Sequence, residues 1–324
     1  MNTSFLSAVQ EPDIDIVLNS CIMGNIPFIL VEGMDDISKY HSIFSISDKY
    51  SESIQIEAIE NIKDYSLGCE ELIRCIDDLY INHPQKHDKI NKYIISILDK
   101  DVRDIKCNLP THSTYIILKE YSIESIYVCK NSIKILLEFL IKGPNNLINR
   151  SIINNIFIST QQKLVDDLYY SSLDALNFTL NQQHKRNRYK FEYGFIENNN
   201  AIFIQELSQD QTYKIHLDTL ASSINLSKDL NSLMKFVKGK WLYRSFIKII
   251  LEEVNLLTQK CQSSQITTCC YCNLGKFSQC LYKSILTQGY DHIDNHLFKE
   301  LPKDSEFIGF QYIVNEFNNR LNAI

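Results

Sequence analysis

The sequence predicts an α/β fold: a mainly parallel sheet flanked by helices, followed by a largely helical C-terminal region. Two observations carry this. In the first 130 residues short apolar strand-type runs alternate with helix-spaced segments, the pattern of βαβ units. From about residue 131 the texture changes to helical segments rich in Ile, Leu, Asn and Lys. The reading divides the chain into an α/β domain at 1–130, a mainly helical insertion or second domain at 131–230 and a helical C-terminal region at 231–324.

The elements follow in order. Phe28-Ile29-Leu30-Val31 is a continuous apolar run of the kind a strand covered on both faces requires. Glu32-Gly33 comes next, then a helical stretch with Ile37, Tyr40, His41 and Phe44 on one face. Residues 54–59 alternate apolar and polar and form the second strand. Residues 64–80 place Leu67, Leu72, Cys75, Ile76 and Leu79 at helical spacing. Tyr93 to Leu98 is the third strand, ending at Asp99, and Tyr115 to Leu118 is the fourth. Gly143-Pro144-Asn145-Asn146 marks a break, after which 147–182 read as two helices. Residues 185–216, with aromatic and β-branched residues around Asn198-Asn199-Asn200, read as strands or as a helix-to-loop excursion. A last helical region begins near Leu233 and includes Trp241 to Thr258.

Composition narrows the classes. The 324 residues are 44% hydrophobic and 22% charged with only 9 Gly and 6 Pro, which excludes disordered and collagen-like chains. No run reaches the roughly 20 apolar residues of a membrane span, and no basic stretch leads into an apolar leader at the N-terminus. A cytoplasmic location is expected, and with it ten cysteines acting as buried hydrophobes or metal ligands rather than disulfides. The net charge of -6 gives no global attraction to nucleic acid. Contact with nucleic acid must then come from a local patch. His184 to Lys190 is the candidate, with Lys185, Arg186 and Arg188 beside Tyr189; a solvated basic face is the simpler alternative. No glycine-rich phosphate loop is present, so ATP hydrolysis is not expected of this chain.

The acidic residues are the most informative. One apolar strand ends in Glu32-Gly33-Met34-Asp35-Asp36 and a later one in Asp99-Lys100-Asp101. Ligands of open α/β sheets sit beyond the carboxyl ends of the strands, so Glu32 and Asp99 are expected at the same sheet edge. Hard cations such as Mg2+ take carboxylate and phosphate oxygens. Asp99 and Asp101 can serve one ion only if the chain bends at the strand end, because alternate residues of an extended segment point opposite ways. Gly33 permits a sharp turn and close approach of a ligand, and Glu32 is placed to bind metal or to move a proton.

Residues 29–36 together with Ile95 to Asp101 resemble the TOPRIM family of topoisomerases, primases, small ribonucleases and anti-phage nucleases, over roughly residues 25 to 130. The resemblance implies a TOPRIM-like sheet, a glutamate (Glu32) that transfers protons or binds metal, a Mg2+-binding Asp99/Asp101 pair, and a further acidic position at Asp36. Leu118 to Tyr127, with Ser122-Ile123-Glu124 at its centre, looks like the strand-four exit of the branch that holds the AriB effectors of the PARIS anti-phage system. Lys238-Gly239-Lys240 also fits that branch. Glu124 is then a further carboxylate of the metal shell and Lys240 a phosphate contact. The implied activity is that of a Mg2+-dependent endonuclease, a toxic abortive-infection effector held by an ABC-type ATPase partner (AriA-like) and cleaving RNA such as tRNA in preference to DNA, with a homodimer as a possible active form. Two alternatives stand: a catalytically idle binding subunit, and a DNA nuclease of the overcoming-lysogenisation type.

Five of the cysteines lie between positions 261 and 280. Cys269 and Cys272 form a CxxC pair, a spacing that lets two thiolates hold one Zn2+. Cys261 and Cys280 complete a four-thiolate set, unless His292 and His296 supply the remaining ligands. Against zinc stands the role of cysteine as a small buried hydrophobe. His41 and His112 lie near the acidic residues and read as structural.

Overall fold

A computed structural model describes residues 11–45, 54–180, 188–192, 200–285 and 289–322. Two units divide them. The first comprises Met1–Lys100, Leu109–Leu118 and Phe307–Ile324, the second Asp101–Asn108 and Lys119–Glu306.

The first unit is a four-stranded, all-parallel sheet with helices, as the sequence predicts. Its elements are α1 (Ile14–Gly24), β1 (Phe28–Val31), α2 (Met34–Phe44), β2 (Gln55–Ala58), α3 (Cys69–Asn82), α4 (His87–Tyr93), β3 (Ile94–Leu98) and β4 (Tyr115–Ile117). The strand order is β2-β1-β3-β4. Successive connections therefore run in opposite directions, outward from β1 to β2 and then back past β1 to β3. With right-handed crossovers, that reversal puts α2 and α3 on opposite faces of the sheet. The core agrees. Phe28 and Leu30 of β1 join a buried cluster with Val17 and Leu18 of α1, Leu72 and Ile76 of α3 and Ile90 of α4. Ile29 and Val31 alternate away from it and are equally buried. The C-terminal helix, Gln311–Asn322, belongs to this unit. Its Phe317 ring meets Phe44 of α2 at 4.8 Å, and Arg320 donates to the Tyr115 carbonyl.

Local chemistry corrects several sequence boundaries. Tyr93 closes α4 instead of opening β3. Leu67 is exposed, and the helix expected over 64–80 starts at Cys69, after Gly68 at φ +117. On α2 the buried face is Lys39, Tyr40, Ile43 and Phe44, while His41 is exposed.

The second unit is helical: α5 (Ile123–Ile126), α6 (Lys130–Leu140), α7 (Arg150–Thr179), α8 (Asn200–Gln209), α9 (Gln211–Ser223), α10 (Leu230–Phe236), α11 (Gly239–Gln262), α12 (Cys270–Asn273) and α13 (Tyr290–Glu300). The two helices expected over 147–182 are one, the 30-residue α7. The segment holds no Gly or Pro to interrupt it, and Asn149 Oδ1 caps it by accepting from Ile152 N at 3.0 Å. No strand occurs among the described residues of 185–216. Phe203 with Leu207, and Tyr213 with Leu217, are buried four residues apart, a helical period that the aromatic content disguises. Against α7 pack α6, α8, α9, α10 and α11. No helix among the described residues is long and apolar enough to cross a membrane. All ten cysteines are free thiols.

Candidate functional site

Residue Leu30 of β1 lies opposite Ser96 of β3, so the two strands run out at nearly the same level. Between them the strand order reverses, which is where an open α/β sheet forms its ligand crevice. Glu32 follows β1 and Asp99 follows β3. Glu32 Oε1 accepts the backbone N–H of Asp99 at 2.9 Å, tying the two strand ends together. The expectation that both acids leave the same sheet edge is met.

Gly33 is the residue before α2, with extended backbone. A Cβ there would meet only the terminal Cδ1 of the exposed Leu67 at 2.9 Å, which can swing aside, so neither packing nor left-handed geometry requires glycine at this position. Asp36, in the first turn of α2, pairs with the buried Lys39 at 2.9 Å. One turn further along, Tyr40 is buried, and its hydroxyl is held protonated well above the ordinary range. Burial is the main cause, followed by the negative charges of Asp99, Asp36 and, more weakly, Glu32. Three carboxylates thus act electrostatically on one phenol. Sequence reasoning placed Tyr40 on a helix face and missed it as a member of the site; its spacing of four from Asp36 was the available signal.

The other acidic candidates belong to the second unit. Asp101 takes a left-handed backbone at φ 49, the bend that the Asp-x-Asp reading requires, and its N–H donates to the Tyr121 carbonyl at 2.9 Å. Burial raises its carboxyl pKa, and the Arg103 guanidinium at 2.7 Å works against that rise. Glu124, 8% exposed, lies in the first turn of α5 and accepts from Ser122 Oγ at 2.7 Å. Gly239 opens α11 against this pair. A Cβ on it would collide with Ser122 Oγ and stand 3.2 Å from Glu124 Oε2. The Ser-Ile-Glu and Gly-Lys segments, far apart in sequence, are therefore in contact. Of the two lysines flanking Gly239, Lys240 is exposed, whereas Lys238 is half-buried and donates to the Phe191 carbonyl at 2.6 Å. Burial lowers the Lys238 pKa, with Lys240 adding to the drop and Asp101 and Glu124 opposing it. Lys238 is thus the lysine in the field of these acids, and the sequence reading passed over it for Lys240.

Lys185 and Arg186 lie outside the described residues. Arg188 pairs with Glu206 at 2.6 Å, and its N–H and that of the buried Tyr189 both donate to Asp174. His112 stacks on Tyr80 at 4.0 Å and bonds Asp77 at 3.2 Å, a structural role as expected.

Cys261, Cys269, Cys272 and Cys280 are all buried, and their four Sγ atoms lie within 4.8 Å of one another. This is a cluster that could hold a metal such as zinc. It needs neither histidine: His296 stacks on Phe139 at 4.0 Å. Among the described residues it is the one group of three or more Cys, His, Asp or Glu at ligand spacing. The acids around Tyr40 do not close to that spacing.

No known protein-family model matches the chain, and no curated protein matches it in sequence.

Proposed function

We propose that the first unit carries a Mg2+-dependent phosphodiester-cleaving site on Glu32, Asp36 and Asp99. The observation that carries this reading is the hydrogen bond from the Asp99 N–H to Glu32, which holds the Glu32 carboxylate to the backbone of Asp99 at the strand ends where the sheet order reverses. The donor set fits the ion. Mg2+ keeps several waters and takes only one or two protein carboxylates beside substrate oxygens, so two carboxylates at this sheet edge are as many protein ligands as it would need. Such an ion would stabilise charge on phosphoryl oxygens and lower the pKa of bound water.

The chain's own residues have separate tasks. Asp99 and Asp36 are the proposed ligands. Glu32, hydrogen-bonded to the strand-three end, is held to accept or return a proton at the attacking or leaving oxygen. Tyr40 stays a neutral hydroxyl donor at any physiological pH. Asp101 and Glu124 belong to the second unit, where Arg103 and Ser122 engage them, and the proposed metal site is confined to the first unit.

By its resemblance to the AriB branch of TOPRIM nucleases, the substrate is RNA and the role that of a toxic effector restrained by an ATPase. The negative net charge suits a protein that does not bind nucleic acid constitutively. The test is cleavage of total cellular RNA and of plasmid DNA with and without Mg2+, for the native chain and for Glu32→Ala and Asp99→Ala. Loss of RNA cleavage in both variants supports the reading. Unchanged cleavage and toxicity in both would sink it, and plasmid nicking with tRNA spared would move the substrate to DNA.

A further inference from the structure

The most self-contained chemistry in the second unit is the thiol cluster, and its surroundings decide its role. Residues 262–279 connect the end of α11 to a stretch that lies along the end of α6. Within them nearly every side chain is exposed or half-exposed, including Leu274 at 71% and Phe277 at 50%. The buried side chains between Gln262 and Leu281 are Cys269, Cys272 and Cys280, joined by Cys261 from the last turn of α11. Eighteen consecutive residues thus hold a defined course with no apolar core of their own. Segments that cannot bury enough hydrophobic surface are stapled by disulfides or by a metal. No disulfide is present here.

We infer that Cys261, Cys269, Cys272 and Cys280 bind one Zn2+ in a closed, structural, four-thiolate site. The dimensions fit a single ion. With Zn–S bonds of about 2.3 Å a tetrahedron sets its sulfurs about 3.8 Å apart, and all four Sγ already lie within 4.8 Å of one another. Closing on the ion needs sub-ångström to one-ångström shifts, which side-chain torsions supply. Several irons with their bridging sulfides do not fit between thiols this close. A set of four thiolates with no oxygen ligand also discriminates against Mg2+ and Ca2+.

Hydrogen bonds around the sulfurs point the same way. The Cys269 N–H donates to Cys261 Sγ at 3.3 Å, and the Leu281 N–H to Cys269 Sγ at 3.5 Å. Outer donors of this kind orient thiolate ligands and offset their negative charge. The cluster also anchors the chain on its C-terminal side. Beyond Cys280, the fully buried Tyr282 donates its hydroxyl to the Leu147 carbonyl at 3.2 Å, Lys142 N donates to Lys283 O at 3.0 Å and Ile285 N to Leu140 O at 2.9 Å. The ion would therefore clamp the end of α11 to a strap that lies on the end of α6. The neighbouring Cys270 is exposed and outside the cluster, and serves as an internal control.

The experiment is metal analysis of the full chain purified under reducing conditions without chelator, with Co2+ titration of chelator-stripped protein. One equivalent of zinc per chain is expected, as are the intense absorption bands of tetrahedral Co2+–thiolate coordination. Cys270→Ser should retain both, and Cys272→Ser should lose at least tenfold in Co2+ affinity. Should Cys272→Ser not fold, limited proteolysis of the stripped native chain takes its place, with new cleavage confined to 262–285 and suppressed by added Zn2+. Substoichiometric metal together with no thiolate–Co2+ bands overturns the inference, as does stoichiometric iron. None of these readouts involves nuclease activity, so failure here leaves the Mg2+ proposal standing, and failure of that proposal leaves the zinc site standing.

Discussion

Replacing Glu32 by Gln and by Ala separates the strand-tying hydrogen bond it makes from the proton transfer proposed for it. Its Oε1 accepts the N–H that closes the end of β3 at 2.9 Å. Glutamine keeps an oxygen in that place but turns a charge-assisted bond into a neutral one. Bonds to charged groups contribute roughly 1.5–3 kcal/mol and neutral ones roughly 0.5–1.5, so the swap should cost about 1 kcal/mol. Alanine instead leaves the half-buried Asp99 N–H without its acceptor, a loss of about 1–3 kcal/mol. In urea, with a slope of about 1–3 kcal/mol/M, alanine should lower the midpoint of the first unit by roughly 1 M and glutamine by less than half of that. Both variants should lose Mg2+-dependent cleavage by about 10²–10⁴-fold, the usual worth of a positioned proton-transfer group. Denaturation followed by circular dichroism, with a gel assay of RNA cleavage on the same preparations, reads both quantities. Equal destabilisation by the two substitutions would refute the strand-tying role. Glutamine with native cleavage would refute the catalytic one.

Three further outcomes rest on the packing. Gly239→Ala should destabilise the second unit by about 1–3 kcal/mol, since the new methyl displaces Ser122 Oγ from Glu124; a thermal melt within a degree of the native chain would contradict the contact. Phe317→Ala should cost about 3–5 kcal/mol and lower the unfolding temperature of the first unit, because the ring is wholly buried against Phe44; a neutral result would mean that the C-terminal helix does not belong to that core. Glu253 is buried on α11, and although burial opposes its ionisation, Lys260 at 2.8 Å and Lys163 at 2.9 Å hold its carboxyl below the usual value. A depressed folded-state pKa stabilises above the unfolded-state value and is lost as pH falls through the folded-state one. Glu253→Gln should accordingly flatten the acid limb of a stability–pH curve below about pH 4.5, and an unchanged limb would refute the pairing.

Legibility tracked the range of the interactions that decide each feature. β1 and β3 were readable because strands covered on both faces must be apolar throughout, and the acids after them were readable because a charge cannot sit inside such a run. The reversal of strand order between them was not readable, because pairing is a property of the sheet and not of any segment. Residues 147–182 form one helix because nothing in them breaks it: Asn154-Asn155 and Ser171-Ser172 are weak helix formers, yet neither pair interrupts a helix as Gly or Pro would. The packing of Phe317 on Phe44 links residues with no local pattern in common. The role of Lys238 is not legible in the sequence, because the Gly-Lys pair points to Lys240, while the side chain bound to the Phe191 carbonyl is the one before the glycine.

The two candidate metal centres differ in what their surroundings require of them. Around Tyr40, the packing is made without an ion: Tyr40, Ile43 and Phe44 of α2 and the apolar residues of β1 and β3 are buried, and Lys39 and the Asp99 N–H already engage Asp36 and Glu32. An ion there would add chemistry, exchange with solvent, and take oxygen ligands suited to weak, reversible Mg2+ binding. Around Cys261 the order is inverted. The segment 262–279 buries no side chains but those of its cysteines, so an ion there would add structure and would have no open position for substrate. A single chelation experiment should therefore resolve them in time. Activity drawn from the carboxylates should vanish at once with EDTA and return with Mg2+ alone, whereas a tightly held thiolate-bound ion should leave slowly and take the local fold with it.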